Sequence, residues 1–258
     1  MDNTFIRKHW YADIYERQVL QDDEVNFILA MLGKEPKDVL EVACGGGRIS
    51  IPLAKAGHKV TGFDFDEFML EKMSTKAKGL SNISYYEADA ISDDWGKEFD
   101  VVILAGNILL NIVSELPYDQ AQELFIKKAS ECVKENGYLY LDFDCYERTN
   151  QSSDHKTEWV CFEGMDDLGT YGKYIVISGD YSNQTHTDRS FRRYEITPKD
   201  RDMFIEEFVS VKYFPPIDQV MGWLKKYGWE IVNLYGDYDK NPMSDSTKRA
   251  IVWAKKSK

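Results

Sequence analysis

The sequence of 258 residues lacks several features that mark other classes of protein. Its four cysteines form no CxxC pair, so we predict no zinc or other metal site. No segment approaches the roughly 20 consecutive apolar residues of a membrane span. The first residues, Met1–Thr4, lack the basic and then apolar run of a signal peptide. We therefore expect a cytoplasmic protein that does not associate with a membrane.

Basic residues are also comparatively few. The chain has 44 acidic and 32 basic side chains and a formal net charge of −12, and its lysine and arginine doublets are scattered. Nucleic acids and anionic membranes are bound by clustered positive charge, so neither is an expected partner. The composition instead favours a small-molecule substrate. The sequence leaves the oligomeric state open between monomer and homodimer.

What the sequence does contain is an alternation of short apolar strands and helices. Helices are predicted between successive strands, for example over residues 49–56 and 119–134. Such an alternation indicates a parallel sheet covered on both faces. The predicted strands of this region are Asp38–Ala43, Lys59–Phe63, Ile83–Tyr86, Phe99–Leu104 and Tyr138–Phe143.

The pattern changes on either side of this region. Residues 9–32 hold two helical patterns, and residues 156–214 hold four stretches of β type with partial period-two alternation. Two last strands, Trp229–Leu234 and Ala250–Ala254, return to the α/β pattern. We predict a core formed by residues 1–145 and 215–258, including an N-terminal capping helix, and an inserted β-rich lid or substrate subdomain over residues 146–214.

The strongest motif is a glycine cluster, Gly45-Gly46-Gly47, that directly follows the first strand. Glycine allows the backbone to approach a ligand closely, and ligands of open α/β sheets bind at the carboxyl edge of the strands. Asp64 ends the second strand, and Asp89 follows the third. An acid at the second strand end can accept hydrogen bonds from ribose hydroxyls, and one at the third can accept from an exocyclic amine.

These residues carry a resemblance to class I S-adenosylmethionine-dependent methyltransferases. The glycine loop, Asp64, the segment Glu87–Ala90 and the start of the fourth strand match that family in order and spacing over roughly residues 36–145. The resemblance implies a doubly wound, mostly parallel seven-stranded Rossmann-like sheet that closes with a β-hairpin, and an inserted antiparallel sheet over the active site. The N-terminal helix and the insert are similar to a subgroup of small-molecule N-methyltransferases.

The resemblance also implies roles for individual residues. Glu41, Ala43, Gly45 and Gly47 would hold the amino-acid part of the cofactor S-adenosyl-L-methionine, although many members of the family carry glycine at the position of Ala43. Asp64 would bind the ribose and Phe65 would lie against the adenine, while Asp89 and Ala90 would bind the adenine edge. Ala105 and Asn107 would line the methyl end, and Tyr11 and Tyr15 would cover the cofactor.

The resemblance implies methyl transfer to a small molecule, with an amine nitrogen preferred over oxygen as acceptor. The catalytic residues stay unknown, and the candidates are Tyr11, Tyr15, Asn107 and His186. Alternatives remain open: a tRNA or protein methyltransferase, or a binding module without catalysis. A dinucleotide site is a further alternative, because Gly45-x-Gly47-x-x-Ser50 partly matches GxGxxG. Ser50 replaces its third glycine, and such a site gives Asp89 no role.

Overall fold

The computed structural model describes residues 2–19, 22–145, 157–244 and 247–257. Contacts divide the chain into two compact units. One unit combines residues 1–20 with residues 147–213, and the other combines residues 21–146 with residues 214–258. The sequence-based division placed the first helix with the core, whereas the contacts group it with the insert. Within the described residues, no helix is long and apolar enough to cross a bilayer.

The larger unit is a seven-stranded sheet with helices on both faces. Its helices are α2 (Asp22–Leu32), α3 (Ser50–Lys55), α4 (Glu67–Lys76), α5 (Tyr118–Cys132) and α6 (Ile217–Lys226), and a 3-10 helix covers Ile108–Asn111. Its strands are β1 (Asp38–Val42), β2 (Lys59–Asp64), β3 (Ile83–Glu87), β4 (Phe99–Leu104), β5 (Val133–Asp144), β10 (Trp229–Tyr235) and β11 (Arg249–Lys256).

The strand order in this sheet is β10-β11-β5-β4-β1-β2-β3. Strands β1 to β5 pair in parallel, and β11 pairs antiparallel with both β5 and β10. The predicted Rossmann-like sheet with a terminal hairpin is therefore confirmed. The central strands are buried on both faces, since Leu40 and Val102 belong to one apolar cluster and Val39 and Val101 to another. Burial on both faces explains why these strands read as continuous apolar runs.

The smaller unit consists of α1 (Asn3–Gln18) and a four-stranded antiparallel sheet in the order β6-β7-β8-β9. The strands are β6 (Glu158–Met165), β7 (Tyr171–Ser182), β8 (Thr187–Thr197) and β9 (Phe204–Tyr213). The side chain of Trp10 on α1 is fully buried, and its indole N–H donates to the carbonyl of Gly164 at 2.9 Å. Gly172 leaves room for that indole, because a Cβ there would lie 2.4 Å from a ring carbon of Trp10.

Several details of the elements differ from those predicted. Helix α1 begins earlier, at Asn3, because the Asp2 side chain accepts from the N–H of Phe5 and caps it. Strand β5 begins at Val133, directly after α5, because Val133 pairs with Phe99 of β4. The 3-10 helix Ile108–Asn111 was not predicted.

Candidate active site

The glycine loop adopts the conformation that its sequence favours. Gly45 and Gly47 have φ values of +52° and +81°, in the left-handed region where a side chain is strained. A Cβ at Gly47 would also lie 2.9 Å from Cγ1 of Ile51. Ala43 has a φ of +56°, so this alanine occupies a backbone conformation that glycine adopts more easily. The loop thus leads from β1 to α3 in a turn that depends on its glycines.

Asp64 fastens this loop to the neighbouring strand. Its Oδ2 accepts from the N–H of Gly45 at 2.8 Å, and its Oδ1 accepts from the N–H of Asp66 at 2.9 Å. The residue is only 7% exposed, and burial raises the pKa of its carboxyl. Each carboxylate oxygen keeps a second lone pair, so Asp64 can hold the loop and still accept from a ligand hydroxyl. The next residue, Phe65, is 61% exposed.

Asp89 organises the turn that follows β3. Its Oδ1 accepts from the N–H of Ile91 at 2.7 Å, and its own N–H donates to Oδ2 of Asp93 at 2.8 Å. The side chain of Asp89 is exposed. The carbonyl of Ala90 accepts from the indole N–H of Trp95 at 2.9 Å. This turn is therefore held in one shape by its own polar groups.

Lys128 on α5 also holds this turn, and the sequence reasoning missed it. Its ammonium donates to the carbonyls of Ala90, Ile91 and Asp93 at 2.8, 2.9 and 2.7 Å. Burial lowers the pKa of Lys128. Nearby acids raise it and partly offset this effect, and Asp89 contributes most among them. No local motif signals this contact, because the lysine lies 38 residues from Ala90 along the chain.

A pocket of about 140 Å³ lies beside the glycine loop, the end of β2 and the turn after β3. Its lining includes Ala43, Phe65, Asp89 and Ala90, four of the residues predicted to hold the cofactor, together with residues of the segment 108–113. The lining is largely apolar, and Asp89 is the one ionisable residue among the described residues that form it. Such a pocket suits a flat, apolar ring whose edge carries a hydrogen-bond donor.

Two predicted residues hold the loops and do not line this pocket. Glu41 is buried and accepts a hydrogen bond from the hydroxyl of Ser50, which ties β1 to the start of α3. Burial raises the pKa of Glu41 to about 7, against the opposing effects of Ser50 and Arg48. Asn107 has a φ of +60°, donates its N–H to Oδ1 of Asp142 at 3.0 Å and accepts from the N–H of Asp144 at 3.0 Å. It fixes the turn after β4 that contains Ala105.

The sequence reasoning also missed Glu24 on α2, whose side chain is fully buried. It accepts from the N–H of Gly106 and the hydroxyl of Tyr140, both at 3.1 Å, and from the guanidinium of Arg48 at 2.6 Å. Glu24 therefore connects the segment after the glycine loop to the turn after β4. A local signal existed, because Glu24 lies one helical turn before the buried Ile28 and so on the apolar side of α2.

The remaining predicted residues belong to the smaller unit. Tyr11 packs in an aromatic cluster, with its ring centre 5.7 Å from that of Tyr174, 5.8 Å from those of Tyr15 and Phe162, and 6.0 Å from that of Tyr194. Burial raises the pKa of the Tyr11 hydroxyl well above its ordinary value. A place for Tyr11 and Tyr15 over the cofactor stays a prediction.

His186 lies in the turn between β7 and β8, with its ring edge-on to that of Tyr213 at a centroid distance of 6.4 Å. A role for it in catalysis also stays a prediction.

Among the described residues, one group of possible metal ligands is found, and it lies in the smaller unit. His9, Asp166 and Asp167 bring ligand atoms within 4.8 Å of one another. Hydrogen bonds account for the arrangement: His9 Nδ1 lies 3.2 Å from Asp166 Oδ2, and Asp166 Oδ1 accepts from the N–H groups of Leu168 and Thr170. We interpret the group as the attachment of α1 to the β6–β7 turn.

Comparisons with known proteins identify similar sequences and folds. Residues 39–137 match the family model described as a methyltransferase domain. The Bacillus subtilis (strain 168) protein YqeM, which carries the name of a methyltransferase, is 24% identical over 267 residues and 96% of each chain. A solved S-adenosylmethionine-dependent methyltransferase from Clostridium acetobutylicum ATCC 824 superposes with a TM-score of 0.73 at 16% identity over 99% of both chains. The sugar N-methyltransferase KedS8 from Streptoalloteichus sp. ATCC 53650 superposes with a TM-score of 0.69 at 15% identity, over 95% of this chain and 90% of that chain.

Proposed function

We propose that this protein, a class I S-adenosylmethionine-dependent methyltransferase, methylates a small molecule and that the acceptor atom is an amine nitrogen. The observation that carries the proposal is the arrangement of Asp64, Phe65 and Asp89 at the ends of adjacent strands. The sugar N-methyltransferase among the similar structures supports the choice of acceptor.

The residues present fit the cofactor. Asp64 would offer its buried carboxylate to the ribose hydroxyls, Phe65 and Ala90 would line an apolar pocket for the adenine, and Asp89 would accept a hydrogen bond from its amine. When bound, S-adenosylmethionine supplies a methyl group already activated on a sulfonium. The protein therefore needs only to hold and orient the two reactants and to exclude water.

The chemistry of the ionisable side chains favours nitrogen over oxygen. A neutral amine attacks without losing a proton first, whereas a hydroxyl acceptor needs a general base. Near the turn after β4, Asp142 is fully buried and 3.2 Å from Arg249, and Glu24 is buried and paired with Arg48. The raised pKa of Tyr11 keeps its hydroxyl protonated near neutral pH. Asp142 and Glu24 are therefore engaged by arginines, and no base is required if the acceptor is a neutral amine.

The test is a screen with S-adenosylmethionine carrying a labelled methyl group. Pairs of amines and alcohols that share the same carbon skeleton are compared as methyl acceptors. The Asp64→Ala variant, which lacks the carboxylate proposed to bind the ribose, serves as the negative control. We expect turnover of one or more amines and at least about a tenfold lower kcat/KM for the matched alcohol, since a hydroxyl acceptor must also lose its proton to a base. Faster turnover of the alcohol would overturn the choice of nitrogen. Tight binding of S-adenosylhomocysteine with no turnover of any acceptor would point instead to a binding module.

A further inference from the structure

The turn after β4 has an uncommon backbone conformation. Its consecutive residues Gly106 and Asn107 have φ values of +64° and +60°, so both lie in the left-handed region. Asparagine enters this region more readily than most residues with a side chain, but the conformation still costs free energy and persists only where the surroundings hold it. The turn therefore depends on groups outside it.

Two buried carboxylates hold the backbone of this turn. Glu24 accepts from the N–H of Gly106 at 3.1 Å, and Asp142 accepts from the N–H of Asn107 at 3.0 Å. Both acids are fully buried. Burial and the charge of Glu24 raise the pKa of Asp142, and the charge of Arg249 opposes this rise. A buried carboxylate is costly unless a cation offsets its charge, so the hold of Asp142 on the turn depends on Arg249.

Arg249, at the start of β11, contacts both acids that bind Asn107. Its Nη1 lies 3.2 Å from Oδ2 of Asp142, and its Nε donates to Oδ1 of Asp144 at 3.2 Å. Asp142 accepts from the backbone N–H of Asn107, and Asp144 donates its own N–H to the side-chain oxygen of Asn107 at 3.0 Å. The hydroxyl of Tyr238 donates to Asp142 at 3.2 Å and accepts from Arg249 at 3.0 Å. One guanidinium thus holds the backbone and the side chain of Asn107 through two acids.

Asn107 in turn fixes one wall of the pocket. It directly precedes the 3-10 helix, and its carbonyl accepts from the N–H of Leu110 at 3.1 Å and from the side-chain amide of Asn111 at 3.3 Å. The segment 108–113 that begins here contributes several residues to the lining of the 140 Å³ pocket, namely Ile108, Asn111, Ile112 and Val113. A displacement of Asn107 would move this segment and change the shape of the pocket.

We propose that Arg249 is a positioning residue for cofactor binding, which holds Asn107 and the segment 108–113 in place through Asp142 and Asp144. All of these residues belong to the larger unit. The inference rests on the proposed function, because it takes the pocket as the place of the adenine. It gives the terminal hairpin β10–β11 a part in the binding site, although Arg249 is not among the described residues that line the pocket.

The test measures the Kd of S-adenosylhomocysteine by calorimetry and the Tm of the protein without it. Arg249→Gln should raise the Kd about tenfold, because the charge-assisted contacts to both acids are lost. Arg249→Lys keeps the charge without the planar fork, so it should give an intermediate Kd, and it covers the case in which the glutamine variant does not fold. Lys248→Gln removes the same charge from the exposed neighbouring residue and should keep the Kd within about twofold.

Two further variants separate positioning from stability. Ile251→Val shortens a fully buried side chain of the same strand, so it should lower the Tm and leave the Kd unchanged. If Arg249 acts through Asp142, Arg249→Gln should change the Kd less in an Asp142→Asn background than in the wild type, because the charge that the arginine offsets is already absent.

Asp89→Ala tests the pocket itself and should weaken binding. An unchanged Kd in Arg249→Gln, together with weaker binding in Asp89→Ala, would overturn the role of Arg249 and leave the cofactor site in place. Equal effects of Arg249→Gln in the wild-type and Asp142→Asn backgrounds would also overturn it. An unchanged Kd in both Arg249→Gln and Asp89→Ala would contradict the pocket as the cofactor site, and the inference would fail with it.

Discussion

At the scale of single residues, Glu41 makes the stability of the protein depend on pH. Burial raises the pKa of this carboxyl from an ordinary 4.5 to about 7 in the folded protein. Between these values the unfolded chain releases the proton and the folded chain keeps it. The free energy of unfolding should therefore fall as pH rises from about 4.5 to 7, by about 3 kcal/mol from this residue, and stay level above that range.

Glu41→Gln tests this dependence, because glutamine keeps an acceptor oxygen for the Ser50 hydroxyl and does not ionise. Urea unfolding at pH 5, 6, 7 and 8 should give a flatter profile for the variant than for the wild type. The exposed Glu230→Gln variant removes the same charge from the surface and should keep the wild-type slope. Parallel profiles for the wild type and Glu41→Gln would show that this carboxyl ionises in the folded protein as it does in the unfolded chain.

At the scale of elements, α5 holds the turn after β3 through one ammonium. Lys128→Met keeps most of the apolar stem but removes three hydrogen bonds to carbonyls that follow Asp89. A hydrogen bond to a charged group contributes about 1.5–3 kcal/mol net, and water can replace the ammonium at carbonyls of half-buried or exposed residues such as Ala90 and Asp93, so we expect a loss of about 1–3 kcal/mol in stability. Calorimetry should also show weaker binding of S-adenosylhomocysteine, because the adenine side of the pocket is less ordered.

The neighbouring lysine provides the control for that experiment. Lys127 is exposed, and its ammonium forms an i,i+4 pair with Glu131 at 3.6 Å, so Lys127→Met should change stability by less than about 0.5 kcal/mol. If both variants bind S-adenosylhomocysteine with wild-type affinity, the turn after β3 keeps its shape without the Lys128 ammonium, and Lys128 has no positioning role.

Elements whose signal is local were predictable from the sequence. Strand β4 has the predicted bounds, Phe99–Leu104. The glycine loop, Asp64 and Asp89 were found because each lies within a few residues of a strand end. Glu24 and Lys128 were missed because their partners lie at least 24 and 35 residues away, respectively. Local periodicity records which face of an element is buried, and it does not record which distant polar group meets a side chain there.

At the scale of the whole molecule, negative charge is spread over both units. Residues 1–20 and 147–213 carry 16 acidic and 12 basic side chains, and the rest of the chain carries 28 and 20. Neither unit therefore has the excess of positive charge on which binding to a polyanion depends.

This distribution predicts where the methyl group goes. With labelled S-adenosylmethionine, bulk tRNA and a metabolite extract in one mixture, the label should pass an ultrafilter with the small molecules, and the tRNA should stay at background. A protein that contacts six to ten phosphates loses about a thousandfold or more in affinity between 50 and 200 mM salt, so turnover here should change by less than about twofold over that range. Labelled tRNA together with a steep salt dependence would contradict the proposed acceptor class, because it would mean that a local basic surface outweighs the net charge of the chain.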